Sequence, residues 1–555
     1  MRAISATPEE VKAVFAKKYI IPGFQRPYSW DRKECGKLWD DVINFYEESK
    51  GDKDKKERYF LGSIVLSSMR DDSAETWESS EAWEVVDGQQ RLTTLLLLIK
   101  ALHCRAGTYG LSECLQIRNA QTGELTDKLR VVSNAMDDDR VLFEAIILRN
   151  EQNAKKKDKI LDNYVFFGEM IDKWWQENGQ KTEVLEGLIT TLLNNIVLLP
   201  IRCDSEDDAL TLFEIINNRG KLLEDADIFK ATLYRNMERN RQSEFKKEWN
   251  ALKDHDNLFR KLMHILRATA GETGKEIGLR AFFTDKDSNR LGKCDEIMNS
   301  LKVIHMIKDW NGDSKINCLW GIMKNYPNQY WEYPLYVFLH KYGKIDPKSD
   351  TFVLPQKMRQ FTELLEATVR YFFIKGVVYG SVNVVKDTVF RVCAEIEKES
   401  DYLSEYSSNI KEDDIEAFAS RLGDHKYGRC LHGLVLLSAY LNPRQNKDDF
   451  ALFLWDKYDL EHILPRKWNH YDGWTNESWR EHLDTLGNRI PLLKAINIAA
   501  KNEFFDKKKI EYKKSKVQDA LDLLKIREWT PYEVDRKQKE KLRRLCSWVG
   551  RITED

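Results

Sequence analysis

The chain has 555 residues, enough for about two to four domains, and its 88 basic and 90 acidic side chains leave a formal net charge of −2. This balance excludes a protein that is basic over its whole surface, so any nucleic-acid surface must be a local patch. Nine scattered cysteines without a CxxC pair argue against a disulfide framework and a thiolate zinc site, and no apolar run approaches the roughly 18 residues of a membrane span, so we expect a cytoplasmic protein without membrane contact.

The first predicted elements are a loop, a helix and a strand. Two prolines and a glycine surround Gln25 and Arg26, just after the apolar residues 19–21. Residues 32–46 have the apolar spacing of a helix, and residues 59–66 have the composition of a strand. The Gln-Arg pair is therefore expected on a loop that precedes a helix.

A glycine turn joins a predicted strand to a predicted helix between residues 82 and 101. The strand covers residues 82–86, the strongly apolar helix covers residues 92–101, and the turn between them reads Asp87-Gly88-Gln89-Gln90-Arg91. Glycine allows close backbone approach, a helix N-terminus offers free N–H groups, and a guanidinium group can bind two phosphate oxygens. The pattern predicts phosphate binding; the plainer alternative is a turn in which the arginine pairs with an acid.

These motifs, followed by Asn218-Arg219-Gly220, resemble the GmrS half of the GmrSD family, the modification-dependent type IV restriction enzymes. The resemblance covers roughly residues 10–235. It implies a fold related to the ParB and sulfiredoxin nucleotide-binding domains, and binding of a nucleoside triphosphate, with hydrolysis in several members. The nucleotide-binding residues that it implies are Gln25, Arg26, Asp87, Gly88, Gln89, Gln90, Arg91, Asn218 and Arg219.

The middle of the chain carries no catalytic motif. Residues 241–427 show amphipathic helical patterning with charged faces, for example at 358–374 and 389–398. We therefore expect a helical connector between an N-terminal domain, residues 1–240, and a C-terminal domain, residues 428–555. The expected fold class is α+β and predominantly helical.

The segment Asp459–Pro465 combines a histidine with acidic neighbours. A neutral His462 could take a proton from water, while Asp459 and Glu461 offer hard oxygens that suit Mg²⁺ or Mn²⁺. This pattern predicts a metal-dependent phosphodiesterase. The alternative is that His462 packs at the end of an apolar strand and that both acids are solvated.

The segment that follows, residues 486–493 and a helical run after it, resembles the ββα His-Me finger (HNH) nuclease domain of the GmrD half of the same family. The resemblance covers roughly residues 450–525. It implies that His462 is the general base and that Asn488 helps to orient its imidazole. The family pattern is altered at Ile490-Pro491, which we interpret as a variant turn.

The same resemblance implies the ligands of the metal and of the DNA. Asn497 would complete the metal site with Glu461 or Asp459, and the DNA contacts would come from Asn502, Lys507 and Lys508. Two basic segments, residues 507–516 and 536–544, are also candidates for a DNA-backbone surface, with a solvated helix face as the alternative.

The sequence thus predicts a nucleotide-regulated, metal-dependent DNA endonuclease of antiphage defence that cleaves modified double-stranded phage DNA. Two alternatives stay open: a nucleotide-switched DNA-binding sensor with an inactive HNH domain, and a nuclease whose N-terminal domain senses DNA modification without hydrolysing nucleotide. The sequence does not identify the DNA modification, the nucleotide or the direction of its control. It also leaves the oligomeric state open, with a homodimer as one option.

Overall fold

The structure, a computed structural model, describes residues 4–49, 57–68, 82–107, 109–119, 121–134, 137–151, 158–205, 208–209, 212, 225–285 and 287–550. The chain divides into two compact units, residues 1–248 (unit 1) and 249–555 (unit 2). Most of the predicted connector lies in unit 2, together with residues 428–555. The α+β, predominantly helical class expected from the sequence is confirmed.

Unit 1 combines strands and helices. Its strands are β1 (Ile4–Ala6), β2 (Glu9–Glu10), β3 (Lys18–Ile21), β4 (Tyr59–Ser68), β5 (Ala82–Asp87), β6 (Gln116–Arg118), β7 (Leu125–Leu129), β8 (Val131–Ser133) and β9 (Ile196–Cys203). Its helices are α1 (Val11–Val14), α2 (Arg32–Ser49), α3 (Gln89–Ala106), α4 (Tyr109–Leu115), α5 (Asp137–Arg149), α6 (Lys159–Glu177), α7 (Thr182–Asn194), α8 (Asp225–Asn236) and α9 (Gln242–Ala251), the last of which continues into unit 2.

Seven strands in the described part of unit 1 form one mixed sheet in the order β1-β9-β4-β5-β3-β8, with β2 also paired to β9. β4 runs parallel to β9 and antiparallel to β5, whereas β3 runs parallel to both β5 and β8. Helix α3 follows β5 directly, and every residue from Leu92 to Leu102 is buried. The glycine turn of residues 87–91 thus joins an inner strand of the sheet to a buried helix.

Gly88 is required at that turn for two reasons. Its φ of +91° lies in the left-handed region, which L side chains rarely adopt. A Cβ atom at this position would also come within 2.5 Å of Cγ2 of Ile64. The predicted strand, glycine turn and helix are therefore all present.

Unit 2 is mostly helical. Its helices are α10 (His255–Thr269), α11 (Leu279–Phe283), α12 (Cys294–Ile307), α13 (Ser314–Met323), α14 (Glu332–Tyr342), α15 (Met358–Tyr379), α16 (Asn383–Glu397), α17 (Tyr402–Ser408), α18 (Glu412–Gly423), α19 (Leu431–Tyr440), α20 (Lys447–Trp455), α21 (Asn476–Leu483), α22 (Lys494–Ala500), α23 (Phe505–Tyr512), α24 (Gln518–Leu523) and α25 (Pro531–Val549). Its strands are β10 (Lys344–Asp346), β11 (Thr351–Val353), β12 (Tyr458–His462) and β13 (Arg489–Leu493).

Two antiparallel strands and a helix form the part of unit 2 that carries the C-terminal motif. β12 pairs with β13 so that His462 lies opposite Arg489 and Leu460 lies opposite Pro491, and α22 follows β13 without a break. Ile490 and Pro491 are therefore strand residues, and the interpretation as a variant turn is wrong. A proline is tolerated there because each strand of a two-stranded sheet is an edge strand.

A short 3₁₀ turn, Leu486–Asn488, leads into β13 and is held by α25. Gln538 of α25 accepts a hydrogen bond from the backbone N–H of Gly487 at 2.7 Å. The Lys541 ammonium group donates to the carbonyl oxygens of Leu486 and Arg489. Helix α25 therefore determines where β13 begins.

Among the described residues, no helix is both long and apolar enough to cross a membrane. All nine cysteines of the chain are free thiols.

Candidate functional site

The end of β12 opens into a cleft of about 590 Å³ in unit 2. The residues that line it come from α19, β12, the loop after β12, β13, α22, the connection between α22 and α23, and α23. They are His432, Asp459, Leu460, Glu461, His462, Arg466, Arg489, Asn497, Lys501, Asn502 and Lys508. The structure therefore brings together the predicted base and most of the residues predicted to hold metal or DNA.

His462 is only 5% exposed, and both of its ring nitrogens have a neighbour. Nδ1 accepts a hydrogen bond from Nε of Arg466 at 3.1 Å, and Nε2 lies 3.3 Å from Oδ1 of Asp484. Because a guanidinium group can only donate, Nδ1 carries the lone pair and Nε2 carries the proton that Asp484 accepts. The contacts thus select one tautomer of the ring.

Burial lowers the pKa of His462 to about 4, and the nearby Arg489 and Arg466 cations add to this effect. The imidazole is therefore neutral at pH 7, as a general base requires. Burial raises the pKa of Asp484, but hydrogen bonds from His462 and Arg489 hold it below its usual value. Arg489 donates to the same carboxylate oxygen at 2.5 Å, so Asp484 is ionised and held in place.

Glu461, a predicted metal ligand, is instead engaged in a buried ion pair. Its Oε1 accepts hydrogen bonds from Nζ of Lys508 at 2.6 Å and from the hydroxyl of Tyr512 at 3.0 Å. The Lys508 ammonium group also donates to the carbonyl oxygen of His462 at 2.6 Å. Lys508 is 1% exposed, and its ammonium group is bonded inside the protein, which does not fit the predicted DNA contact. Its contacts support the end of β12 instead.

Asp459 and Asn497 remain as oxygen donors that border the cleft. One carboxylate and one amide oxygen fit Mg²⁺, which usually keeps several waters and takes further oxygens from a substrate phosphate. Within the described residues, no group of three or more His, Cys, Asp or Glu side chains is arranged to hold a metal ion. A cation here would therefore depend on the amide, water and phosphate as well as on Asp459.

Asn488 acts on the backbone beyond His462 and is completely buried. Its Oδ1 accepts from the backbone N–H of Leu464 at 2.7 Å and from Nε1 of Trp529 at 3.2 Å, and its Nδ2 donates to the carbonyl of Leu483 at 2.9 Å. This side chain therefore fixes the loop that follows His462, and through it the direction of the imidazole.

The predicted DNA contacts differ in position. Asn502 borders the cleft and accepts from the backbone N–H of Arg466 at 3.0 Å. Lys507 is exposed and pairs with Glu503 at 2.9 Å.

In the basic segment 536–544, several cations are internal, which contradicts a DNA surface made of the whole segment. Lys537 pairs with Glu540 at 2.9 Å, and Arg544 pairs with the buried carboxylate of Asp519 at 2.7 Å. Lys541, which contacts the turn before β13, is 2% exposed. These lysine and arginine side chains therefore bind partners within the protein, although the sequence pattern predicted a basic surface.

In unit 1, the predicted nucleotide-binding glutamines hold the loop of residues 22–30 against the glycine turn. Nε2 of Gln25 donates to the carbonyl of Val86 at 2.9 Å, and Nε2 of Gln89 donates to the carbonyl of Arg26 at 3.1 Å. Gln90 accepts from the backbone N–H of Ser29 at 2.8 Å and donates to the carbonyl of Pro27 at 3.2 Å. In this conformation all three amides bind protein backbone.

The two charged residues of the turn are more open to a ligand role. Burial raises the pKa of Asp87, and the cations of Arg91 and Arg26 oppose that shift. Arg91 donates to the carbonyl of Ser63 at 2.7 Å, and Arg26 is exposed. The small cavity between the loop and α3 measures about 20 Å³, whereas ligand pockets usually measure about 300–1,000 Å³, so a nucleotide could enter this cavity only if the loop moved.

Asn218 and Arg219, the last two predicted nucleotide-binding residues, lie outside the described residues, as does Gly220.

Sequence reasoning missed three residues: Arg466 and His432, which line the cleft in unit 2, and Asp484, which contacts His462. Nε2 of His432 is buried and has no hydrogen-bond partner in the described part of the chain. Asp484 and Arg466 reach His462 only because β12 pairs with β13 and because the loop after β12 folds back. Their spacing in the sequence carries no signal for either contact.

Two protein-family models match the chain. The model described as the N-terminal domain of GmrSD restriction endonuclease matches residues 11–234. The model described as the C-terminal domain of GmrSD restriction endonucleases matches residues 407–544, which include the whole cleft of unit 2. No curated protein matches the chain.

Proposed function

Because the chain belongs to the GmrSD family of restriction endonucleases, we propose that it is a metal-dependent His-Me finger (HNH) endonuclease that cleaves modified phage DNA in the cytosol. His462 is its general base, and unit 1 controls cleavage through a bound nucleoside triphosphate.

One observation carries the proposal for unit 2: a neutral histidine of defined tautomer stands at the mouth of a cleft that also contains Asp459 and Asn497. The succession of β12, β13 and α22 provides the ββα order of elements that the family resemblance implies. Asp484 and Asn488 hold the imidazole through its Nε2–H and through the following loop.

The chemistry is hydrolysis of a phosphodiester. Nδ1 of His462 takes a proton from water, the water oxygen forms a bond to phosphorus, and the bond from phosphorus to the 3′ oxygen breaks. The leaving oxygen is protonated by solvent. Asp484 stabilises the imidazolium that forms, because its carboxylate already accepts the Nε2–H hydrogen bond.

Asp459 and Asn497 would hold Mg²⁺ or Mn²⁺, whose positive charge stabilises the developing negative charge on the phosphate and on the leaving oxygen. Glu461 contributes indirectly, because its ion pair with Lys508 supports the strand that presents His462.

Nucleotide control rests on the glycine turn of unit 1. The charged groups there suit a triphosphate and its metal ion: the guanidinium groups of Arg26 and Arg91 would bind phosphate oxygens, and the carboxylate of Asp87 would bind the metal ion. The engaged glutamines and the small cavity argue against nucleotide hydrolysis in this conformation, which keeps a second candidate open: unit 1 senses DNA modification and does not hydrolyse nucleotide.

The test is cleavage of plasmid and of phage DNAs of defined modification by the purified full-length chain, with Mg²⁺ or Mn²⁺, and with or without triphosphate. His462→Ala should abolish cleavage while the circular dichroism spectrum and melting temperature stay close to those of the wild type. His305→Ala, at a partly exposed histidine on α12, is the matched control and should cut normally.

Undiminished cutting by His462→Ala would show that the nuclease site lies elsewhere. Cutting that is independent of triphosphate, in a protein that does not bind triphosphate, would favour the second candidate for unit 1.

A further inference from the structure

The basic nitrogen of His462 is covered by a side chain of the loop that follows β12. Nδ1, the nitrogen with the lone pair, accepts the Nε–H of Arg466 at 3.1 Å. A water molecule that is to lose a proton to Nδ1 must occupy the position that Arg466 now holds. The base as seen here is therefore formed but obstructed.

Arg466 has no carboxylate partner among the described residues, unlike the two other cations near the imidazole, Arg489 and Lys508. Arg489 is bound to Asp484 at 2.5 Å and Lys508 to Glu461 at 2.6 Å, so both cations have carboxylate partners. For Arg466, the described residues provide one side-chain partner, the neutral imidazole. Its guanidinium thus carries a full positive charge that no described carboxylate neutralises.

The backbone of Arg466 is fixed while its side chain is exposed. Its N–H donates to Oδ1 of Asn502 at 3.0 Å, and Pro465 precedes it. A rotation of the Arg466 side chain is therefore enough to uncover Nδ1, and no rearrangement of the loop is needed.

A phosphate would compete successfully for this side chain. Hydrogen bonds from a guanidinium to an anion are roughly twice as strong as those between neutral partners, and two can form in parallel. An imidazole nitrogen offers one neutral acceptor only.

We propose that Arg466 is a phosphate-binding residue that covers Nδ1 of His462 in the free enzyme and moves to the phosphodiester when DNA enters the cleft. This inference rests on the proposed function. It means that the base becomes accessible to water only where a phosphate is present. It also gives the phosphate oxygens, which gain negative charge during the attack, a cation supplied by the protein itself.

The first measurement is DNA binding in EDTA, where no cutting occurs. The dissociation constant of a DNA duplex is determined over a series of KCl concentrations for wild type, Arg466→Gln, Arg466→Lys and Arg480→Gln. Loss of one phosphate contact should reduce the slope of log K against log salt concentration by about 0.9 in Arg466→Gln. Arg466→Lys should keep the slope, and Arg480→Gln, at an exposed arginine on α21, should match the wild type.

The second measurement follows the imidazole directly. In protein with ¹⁵N-labelled histidine, the Nδ1 resonance of His462, assigned by its loss in His462→Ala, should shift when the duplex binds. It should move toward the position found in free Arg466→Gln. Cleavage by Arg466→Gln at saturating DNA should fall at least tenfold, because the variant uncovers the base but lacks the phosphate contact.

An unchanged salt slope in Arg466→Gln would overturn the phosphate contact. A reduced slope with an Nδ1 resonance that DNA does not move would overturn the displacement. Full cutting by His462→Ala would refute the proposed base instead, and the salt slope would still decide whether Arg466 binds phosphate.

Discussion

At the scale of single residues, the two acids before His462 have different roles. Both border the cleft, but Glu461 is 6% exposed and paired with Lys508, whereas Asp459 is less deeply buried. Asp459→Asn or Asn497→Ala should therefore raise the Mg²⁺ concentration required for half-maximal cleavage by about tenfold or more, with little change in melting temperature. A Mg²⁺ titration of cleavage beside a thermal melt checks this.

Glu461→Gln should show the opposite behaviour. It leaves the Lys508 ammonium buried without its carboxylate, and breaking a buried pair in this way typically costs about 3–5 kcal/mol. We expect a large fall in the free energy of unfolding, measured by urea denaturation. A stable Glu461→Gln variant with a raised Mg²⁺ requirement would return Glu461 to the metal site.

His264 in α10 provides a test of acid stability. Its ring is 3% exposed and stacks on Tyr333, with ring centroids 3.8 Å apart, and on Phe390. Burial lowers the pKa of His264 to about 3, with Arg267 adding to the effect and Glu276 opposing it. Between pH 6.5 and about 3 the unfolded chain therefore binds a proton that the folded chain does not.

The contribution of His264 to stability is complete above pH 6.5 and is lost as the pH falls. The loss approaches about 1.4 kcal/mol per pH unit. In His264→Phe, which keeps an aromatic ring at this position, that part of the pH dependence should disappear. Chemical denaturation of both proteins between neutral and acidic pH is the measurement, and equal slopes would contradict the assignment.

At the scale of elements, helix α25 and the turn before β13 pack at backbone distance. A Cβ atom at Gly487 would lie 2.3 Å from the carbonyl oxygen of Val534 and 2.8 Å from the backbone nitrogen of Gln538. Gly487→Ala should therefore cost about 1–3 kcal/mol of stability and reduce cleavage, because the adjacent Asn488 would no longer hold Leu464 correctly.

Gly423→Ala, at the end of α18, is the matched control. No atom outside the adjoining backbone lies within 4 Å of the Cβ that this change adds, so stability and cleavage should both stay close to wild type. A Gly487→Ala protein as stable and as active as this control would mean that α25 does not support the turn. Urea denaturation and plasmid cleavage of the two variants decide the point.

The elements themselves could be predicted to a large extent from the sequence. The strands expected at 59–66 and 82–86 and the helices expected at 32–46 and 92–101 are present, with longer ends in the structure. A helix or strand that is buried on one face has apolar residues at regular intervals. Because this pattern lies within one segment, it can be recognised without knowing the tertiary contacts.

The cleft was predictable only in part. His462 and its acidic neighbours stand together in the sequence, but Asp484 is 22 positions away and reaches the imidazole through strand pairing. Lys508 and Lys541 had the pattern of surface cations, because a local pattern cannot show their contacts with Glu461 and Leu486, which lie 47 and 55 positions away. Tertiary contacts therefore decide the roles that local patterns leave open.

At the scale of the whole molecule, the proposed control of the nuclease by nucleotide predicts a link between Arg26 and DNA cleavage. Arg26→Ala removes an exposed cation beside the glycine turn and should weaken triphosphate binding by about tenfold or more. Cleavage should then respond less to added triphosphate, since a coupled site must bias both functions. Arg58→Ala, at an exposed arginine of unit 1 paired with Glu10, is the control.

Calorimetric titration with triphosphate and gel assays of plasmid cleavage on the same preparations would provide both readouts. Arg91→Ala should also lose triphosphate binding and change cleavage, although part of its effect would come from the lost hydrogen bond to Ser63. Normal binding by both arginine variants would refute the phosphate role of the turn. Weaker triphosphate binding with an unaltered response of cleavage to triphosphate would show that the site in unit 1 does not control the nuclease in unit 2.

The hydrogen bond from Gly487 to Gln538 spans 51 positions of the chain. It can therefore form only late in synthesis, after the ribosome has made α25. A ribosome that has just made β13 has not yet made the helix that holds its start, whereas all of unit 1 has already emerged. At about 5–20 residues per second, unit 1 precedes α25 by roughly 15–60 s. A nascent chain therefore completes the segment with the glycine turn well before helix α25 can hold the start of β13.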